Sequence, residues 1–250
     1  MSLVGLKVGG FEVTEATDPP EEGDWYHGVR TNGAEPATDG VLIKFIGGSS
    51  DGDALTDLSK QHDILRALDD PRIPTVAGFF EGVGALAVQA PLTAQLTQAT
   101  RRVDAGQLRV TDTALGAIVY GVSSALLHAR QRSIVHGGLS ANVVGVGSEG
   151  QIVVWGFGAA SNQLEPTDDL RALTSLVRAL MNPDATSSSQ ASLLSLVDQQ
   201  MMDAIAHLNV IRDTSLALCG EQGETALRAL AQDLSVPEAP MLLPLSLIHI

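Results

Sequence analysis

Residues 133–160 have the sequence SIVHGGLSANVVGVGSEGQIVVWGFGAA, and this stretch decides the fold of the chain. Apolar, β-branched runs at 143–146 and 152–155 are separated by the four-residue turn GSEG. This pattern predicts a β-hairpin. Sharp glycine turns flank the hairpin, GG at 137–138 and GFG at 156–158. Turns of this kind carry catalytic side chains in many enzymes, and here they carry none.

The charge and the cysteine content limit the classes of partner. The chain has 250 residues, with 29 acidic and 15 basic side chains and a formal net charge of −14. This imbalance disfavours nucleic acid and anionic membrane surfaces as partners, because neither would meet a counter-charge. The single cysteine, Cys219, excludes an intramolecular disulfide and fits a reducing cytoplasm.

The two ends of the chain give expectations about targeting and extent. The first ten residues, MSLVGLKVGG, lack the basic and apolar regions of a signal peptide. No stretch approaches the ~20 apolar residues of a membrane span. We expect a Pro-rich linker at 237–244. Residues 245–250 match a translation of the transposon-end adapter used in sequencing libraries, so we interpret them as an artefact and expect a further C-terminal region.

The N-terminal part has the pattern of an antiparallel α+β unit. Alternating or wholly apolar runs predict five strands, at 11–17, 25–30, 41–46, 74–81 and 85–88. Apolar residues at near-helical spacing predict one helix at 54–68. The helix is expected to end before Pro71, because proline disfavours helical backbone at the residue that precedes it.

After Pro91 the pattern becomes helical. Apolar residues at i, i+3, i+4 and i+7 predict a core helix at 111–131, directly before the hairpin. Beyond the hairpin, helices are predicted at 169–181, 193–208 and 225–234. The C-terminal part is therefore expected to be mainly helical.

The hairpin stretch resembles the catalytic-loop hairpin of protein kinases, in which H-R-D-L-x-x-x-N leads through a hairpin into D-F-G. The residues that fall on H-R-D-L are His136, Gly137, Gly138 and Leu139, and those that fall on D-F-G are Gly156, Phe157 and Gly158. The frame is retained, and glycine replaces both aspartates.

The resemblance covers residues 11–234 and is to a degraded bacterial serine/threonine-kinase-like domain. It implies an α+β, two-lobed fold, with an antiparallel-sheet N-lobe carrying one helix at 1–90 and a shortened, mainly helical C-lobe at 91–236. Only ten residues separate Gly158 from Asp169. We therefore expect the A-P-E element and the activation segment to be missing.

Lys44 is the candidate nucleotide-binding residue of the N-lobe. It lies in VLIK, which matches the V-A-I-K pattern whose lysine holds nucleotide phosphates. The glutamate that pairs with this lysine in kinases falls on Gln61, which can hydrogen bond but cannot neutralise the charge. Asp57, one turn earlier, is a candidate substitute. The alternative interpretations are an edge-strand lysine that faces water and an Asp57 that is simply exposed.

The loop that covers the phosphates in kinases lacks their glycine spacing here. Its equivalent, TDPPEEGDWYHG, is rich in acidic residues. Each unit-charge repulsion at ~4 Å costs roughly 1 kcal/mol even in water. The loop is therefore expected to oppose the binding of a triphosphate, and its alternative interpretation is a solvated acidic turn.

Three positions that carry kinase chemistry have lost their polar groups. Gly138 stands where the catalytic aspartate would be, Gly156 where the magnesium-binding aspartate would be, and Val143 at the metal-binding asparagine. Asn142 is adjacent to Val143 and would need a slip of one residue. No metal site is expected.

The remaining hairpin residues are expected to serve as scaffold. The resemblance implies that Asp169 matches the kinase F-helix aspartate, which holds the catalytic loop by hydrogen bonds. His136 is interpreted as a packed scaffold histidine. Leu139, Phe157 and Gly158 complete the predicted scaffold.

These features predict a pseudokinase, a regulatory or protein-interaction domain without catalytic activity. The expected partner is another protein, and neither a cofactor, nucleic acid nor a membrane is expected. One alternative is an active serine/threonine kinase that uses Lys44 with displaced carboxylates. Another is a domain that binds ATP without magnesium and without chemistry.

Overall fold

The computed structural model describes residues 3–16, 24–31, 41–46, 52–89, 94–147, 149–157, 166–181, 186–199 and 203–235. Several predicted features lie outside these residues. They are most of the acidic loop that replaces the phosphate-binding loop, Gly158 and the segment after it, the Pro-rich linker at 237–244 and the adapter-like residues 245–250.

The N-terminal lobe is built on a six-stranded antiparallel sheet in the order β1-β2-β3-β4-β6-β5. Its elements are β1 (Lys7–Val8), β2 (Phe11–Ala16), β3 (Asp24–Arg30), β4 (Val41–Phe45), α1 (Gly52–Ala67), β5 (Thr75–Phe80) and β6 (Ala85–Gln89). The five predicted strands and the one predicted helix are confirmed. The sequence did not predict β1, because two residues are too short to show a period.

The two faces of the sheet belong to different apolar clusters. Trp25 of β3 and Leu42 of β4 lie in the main core, which continues into the C-terminal lobe. Their chain neighbours Tyr26 and Ile43 lie in a separate outer cluster. This division follows from the strand geometry, since successive side chains point to opposite faces.

The first residues of the chain close the outer cluster. The Gly5 N–H donates to the Val13 carbonyl at 2.7 Å, and the Val13 N–H donates to the Leu6 carbonyl at 2.9 Å. Gly9 has φ 53°, and the Phe80 ring lies where a Cβ of Gly9 would be. This approach needs glycine.

The C-terminal lobe contains six helices among the described residues and a three-stranded sheet in the order β7-β8-β9. The helices are α2 (Leu96–Asp104), α3 (Asp112–Arg130), α4 (Pro166–Leu180), α5 (Ser188–Val197), α6 (Ala204–Cys219) and α7 (Gly223–Ser235). The strands are β7 (Ala94–Gln95), β8 (Val144–Val146) and β9 (Ile152–Val154). The predicted hairpin is confirmed, with Val144 opposite Val154 and Val146 opposite Ile152.

The helices differ from the prediction at two places. The single helix predicted at 193–208 is wrong, because the chain forms α5 and α6 there. Asp203 starts α6 as its N-cap, and its carboxylate accepts from the N–H groups of Ile205 and Ala206 at 3.0 Å. An N-cap carboxylate satisfies helix donors that have no internal partner. Helix α2 was not predicted, because its nine residues bury only one narrow face.

Helices α3 and α6 approach each other closely at Gly116. A Cβ at this position would lie 3.1 Å from the Ser215 carbonyl oxygen and from the Cys219 nitrogen. Cys219 is buried at the end of α6. This burial raises the pKa of the Cys219 thiol above its ordinary value.

The connection between α1 and β5 fastens the N-terminal lobe to the C-terminal lobe. The Val154 N–H of β9 donates to the Arg72 carbonyl at 2.7 Å. The Arg72 guanidinium bonds the Asp70 carboxylate at 3.2 Å and lies 5.9 Å from the ring centroid of Tyr120 in α3. A backbone bond and a cation–π contact therefore cross between the lobes at one place.

Replacing Gly150 with alanine is expected to loosen the docking of α7 on the hairpin. Gly150 has φ 80°, and a Cβ there would lie 2.2 Å from the Glu224 carbonyl oxygen of α7. Gly106→Ala is the control, because Gly106 has φ 68° and no atom within 4 Å of a Cβ. Backbone strain costs about 1–2 kcal/mol in both variants, and the clash adds about 1–3 kcal/mol at Gly150 alone.

Urea unfolding of the two variants measures the difference. Equal losses of unfolding free energy in Gly150→Ala and Gly106→Ala would contradict the docking of α7 on the hairpin turn.

Candidate functional site

Asp169 holds the loop that precedes the hairpin. It lies in the first turn of α4, with 1% of its surface exposed. Its carboxylate accepts from the His136 N–H at 3.0 Å and from the Gly137 N–H at 2.8 Å. A carboxylate at this end of a helix is also favoured by the helix dipole. The hydrogen bonds expected of Asp169 from the sequence are therefore present.

His136 joins the two sides of the hairpin. Its Nδ1 accepts from the Gly138 N–H at 3.1 Å, and its Nε2 faces the carbonyl oxygen of Trp155 within hydrogen-bond distance. This pattern assigns the neutral tautomer with the proton on Nε2. The ring is fully buried and lies 4.6 Å from the ring of Phe157, which is also fully buried. Both ring nitrogens therefore contact backbone groups of the two turns.

The backbone differs between the two substituted aspartate positions. Gly156 has φ 79°, in the left-handed region that favours glycine and in which aspartate and asparagine are the better tolerated of the other residues. Gly138 is not among the residues with positive φ, whereas its neighbour Gly137 has φ 74°. The φ of Gly138 therefore does not require glycine, so the absence of aspartate at this position is not imposed by the turn.

The residues at the metal-binding positions do not fit a magnesium ion. Glycine at 138 and 156 offers no side-chain oxygen, and Val143 is apolar and buried. The neighbouring Asn142 side chain accepts instead from the hydroxyl of Thr97 in α2. Within the described ranges, no three His, Cys, Asp or Glu side chains are grouped as metal ligands.

Lys44 and Gln61 are brought together as the sequence predicted. The Lys44 ammonium donates to the Gln61 Oε1 at 3.1 Å, and Gln61 is 4% exposed. The strand of Lys44, β4, lies between β3 and β6, so the edge-strand alternative is wrong. The carboxylate of Asp57, the candidate substitute, pairs with Lys60 at 3.1 Å on the exposed face of α1.

A pair of tryptophans between the two lobes was missed by the sequence analysis. Trp25 lies opposite Lys44 in the β3–β4 ladder, and Trp155 directly precedes Gly156. Their rings meet edge to face, with centroids 6.0 Å apart and an interplanar angle of 89°. Each is 3% exposed. The only signal in the sequence was that these are its two tryptophans, because residues 130 positions apart share no local pattern.

A groove of about 1100 Å³ lies elsewhere, between α7 and the connection from α2 to α3. It is lined by apolar and polar side chains such as Leu108, Leu230 and Gln222. None of the predicted site residues lines it. The residues around Lys44 and the hairpin therefore remain the candidate functional site.

Comparison with known proteins identifies the fold through structure alone. No protein-family model matches the chain, and no curated protein matches its sequence. The crystal structure of the PknI kinase domain of Mycobacterium tuberculosis matches with a TM-score of 0.62 and 18% identity, over 86% of this chain and all of that chain. A single-substitution variant gives 17% identity and a double-substitution variant 16%, at the same TM-score and coverage.

The chain has a protein kinase-like fold, in which an antiparallel sheet with one helix precedes a helical region. Identity this low shows the fold and leaves the activity to be argued from the site. Separately, no helix in the described part of the chain is long and apolar enough to cross a membrane.

Replacing Asp169 with alanine is expected to destabilise the chain strongly. The change leaves the buried His136 N–H and the part-buried Gly137 N–H without their acceptor, and an orphaned buried donor costs about 1–3 kcal/mol. Asp169→Asn keeps one acceptor oxygen and is expected to lose less. Denaturant unfolding measures both variants.

Asp198→Ala is the control, because the Asp198 carboxylate pairs with Arg178 at an exposed position. Such pairs contribute up to about 1 kcal/mol. An Asp169→Ala protein as stable as Asp198→Ala would show that the loop does not depend on this carboxylate.

Proposed function

We propose that this chain is a pseudokinase, a kinase-like domain that carries out no phosphoryl transfer and acts as a regulatory or protein-interaction module. The observation that carries the proposal is that the hairpin and its flanking turns keep their backbone contacts but lack the functional side chains. Its backbone frame is held by Asp169 and His136, while Gly138, Val143 and Gly156 offer no group for proton transfer or metal binding.

The chemistry of phosphoryl transfer makes this loss severe. The reaction depends on positioning and on charge neutralisation by magnesium, with an aspartate that orients the attacking hydroxyl. An α-hydrogen of glycine can neither accept a proton nor ligate a metal. Since all three positions are lost in one hairpin, compensation would need carboxylates from elsewhere.

The contacts of Lys44 support the same proposal. In kinases this lysine is paired with a glutamate, and here it donates to the neutral Gln61 of α1. Trp25 and Trp155 are packed against each other beside it. A neutral side chain thus stands at the position of the kinase glutamate, and an aromatic pair lies next to the lysine.

The partner that we propose is another protein. A formal charge of −14 disfavours nucleic acid and anionic lipid. We also propose that the protein is bacterial, because the matched structure is bacterial. We propose that it lies in the cytoplasm, because a lone cysteine suits a reducing compartment.

The second candidate function is nucleotide binding without chemistry. It is favoured by one observation, the retention of Lys44 on an interior strand at the position of the kinase lysine. In that case ATP would be a magnesium-independent ligand. An active kinase with displaced carboxylates is the remaining alternative.

A thermal-shift titration separates these functions. A ligand at 100 times its dissociation constant stabilises the native state by ~2.7 kcal/mol, equivalent to about 5–10 °C in a chain of this size. We expect no shift with ATP, either with or without magnesium, because the site lacks the groups that hold a triphosphate.

Lys44→Ala and Lys60→Ala are the paired variants for this titration, since Lys60 is exposed on the neighbouring helix. A magnesium-independent shift that Lys44→Ala abolishes and Lys60→Ala retains would replace our proposal with the nucleotide-binding function. A magnesium-dependent shift with the same pattern would favour the active kinase.

A further inference from the structure

We infer that Trp25 and Trp155 form an aromatic clasp that holds the two lobes together without a bound nucleotide. The inference rests on the proposed function in one respect: it takes the contact between the lobes to be made by the protein's own side chains and not by a nucleotide. The two residues come from different lobes, Trp25 from β3 and Trp155 from the end of the hairpin, and they meet edge to face at 6.0 Å. This geometry is a preferred one for aromatic pairs.

The clasp joins the lobes through a continuous core. Trp25 lies in the apolar cluster that also contains Trp155 and the core of α3, whereas Tyr26, the next residue, lies in the separate outer cluster. Trp25 is therefore the aromatic side chain of β3 that reaches the C-terminal lobe. Buried aromatic rings of this size dominate the energetics of such contacts.

The hairpin holds Trp155 in place by its backbone. The Trp155 N–H donates to the Val143 carbonyl at 2.7 Å, and the Trp155 carbonyl faces Nε2 of His136 within hydrogen-bond distance. His136 is held in turn by Asp169. The retained architecture thus has a use without catalysis, since it fixes the position of one half of the clasp.

Lys44 supports the other half. Its ammonium lies 5.6 Å from the ring centroid of Trp25, within the range of a cation–π interaction. It also donates to Gln61. The lysine of the kinase pattern is therefore a positioning residue for Trp25.

The clasp also leaves polar groups to be explained. In the described structure the indole N–H groups of Trp25 and Trp155 are both buried without an acceptor. Native proteins seldom retain such groups without a reason. Phenylalanine would fill much of the same space without a donor, so packing alone does not account for two unpaired indole donors at this contact.

Hydrogen exchange at one amide tests whether the clasp holds the lobes. The Val154 N–H crosses the lobes to the Arg72 carbonyl and lies next to Trp155. Trp25→Ala is compared with Tyr26→Ala, which removes a buried aromatic ring from the same strand on its opposite face. We expect the exchange rate of Val154, relative to that of Val119 in the core of α3, to rise at least tenfold more in Trp25→Ala. Equal rises in the two variants would overturn the inference.

Circular dichroism tests the contact itself and does not depend on the alanine variants folding. Two indoles in edge-to-face contact couple excitonically, and the chain has no other tryptophan. We expect an exciton couplet in the wild type and in Tyr26→Phe, and its loss in Trp25→Phe and in Trp155→Phe. Absence of the couplet in the wild type would overturn the clasp.

Adding ATP to the same samples separates failure of the clasp from failure of the proposed function. We expect the couplet to be unchanged by ATP with or without magnesium. A missing couplet in a chain that transfers no phosphate would remove the clasp and leave the proposed function standing. A couplet that ATP abolishes at saturation would overturn the clasp as the nucleotide-independent link, and phosphate transfer in that sample would overturn the proposed function as well.

Discussion

The hydrogen bonds from the His136 and Gly137 N–H groups to the buried Asp169 carboxylate are the contacts on which the centre of this molecule depends. They hold the loop before the hairpin against α4. The ring of His136 also contacts the Trp155 carbonyl. The ring of Trp155 in turn contacts Trp25 of β3, in the other lobe. A buried carboxylate is tolerated here because backbone donors satisfy it. A series of contacts that begins at the Asp169 carboxylate thus links the two lobes.

Under the proposed function, this arrangement would let a kinase-like frame persist without kinase chemistry. The positions that hold the frame are buried and hydrogen bonded, so their loss would be costly in stability. The positions that would carry the chemistry, Gly138 and Gly156, contribute no side chain to that network. Since the φ of Gly138 does not require glycine, we propose that the fold has kept this turn and lost its functional group.

Much of the fold could be predicted because its long elements have strong periodic patterns. The strands around Lys44, the core helix α3 and the hairpin fall close to their predicted bounds. The failures have physical causes. Helix α2 has only three buried apolar residues, strand β1 is too short to show a period, and the break before α6 depends on the Asp203 cap within a continuous helical pattern.

The contacts of the candidate site were likewise predicted only in part. Motif positions predicted the contacts of Lys44 with Gln61 and of Asp169 with the loop, because both follow from the order of elements in the fold. Asp57 was chosen by helical spacing alone, and spacing does not show which face of α1 is covered. The tryptophan pair could not be predicted from the sequence, because it depends on how the two lobes pack against each other. Contacts of this kind need the tertiary structure.

The most direct test of the central claim, a kinase-like frame without its chemistry, is the turnover of ATP by the purified full chain. We predict that, with magnesium present, ADP forms no faster than in buffer alone and that no labelled phosphate enters either the chain or a generic protein substrate. Turnover above the buffer rate that Lys44→Ala abolishes would contradict the account.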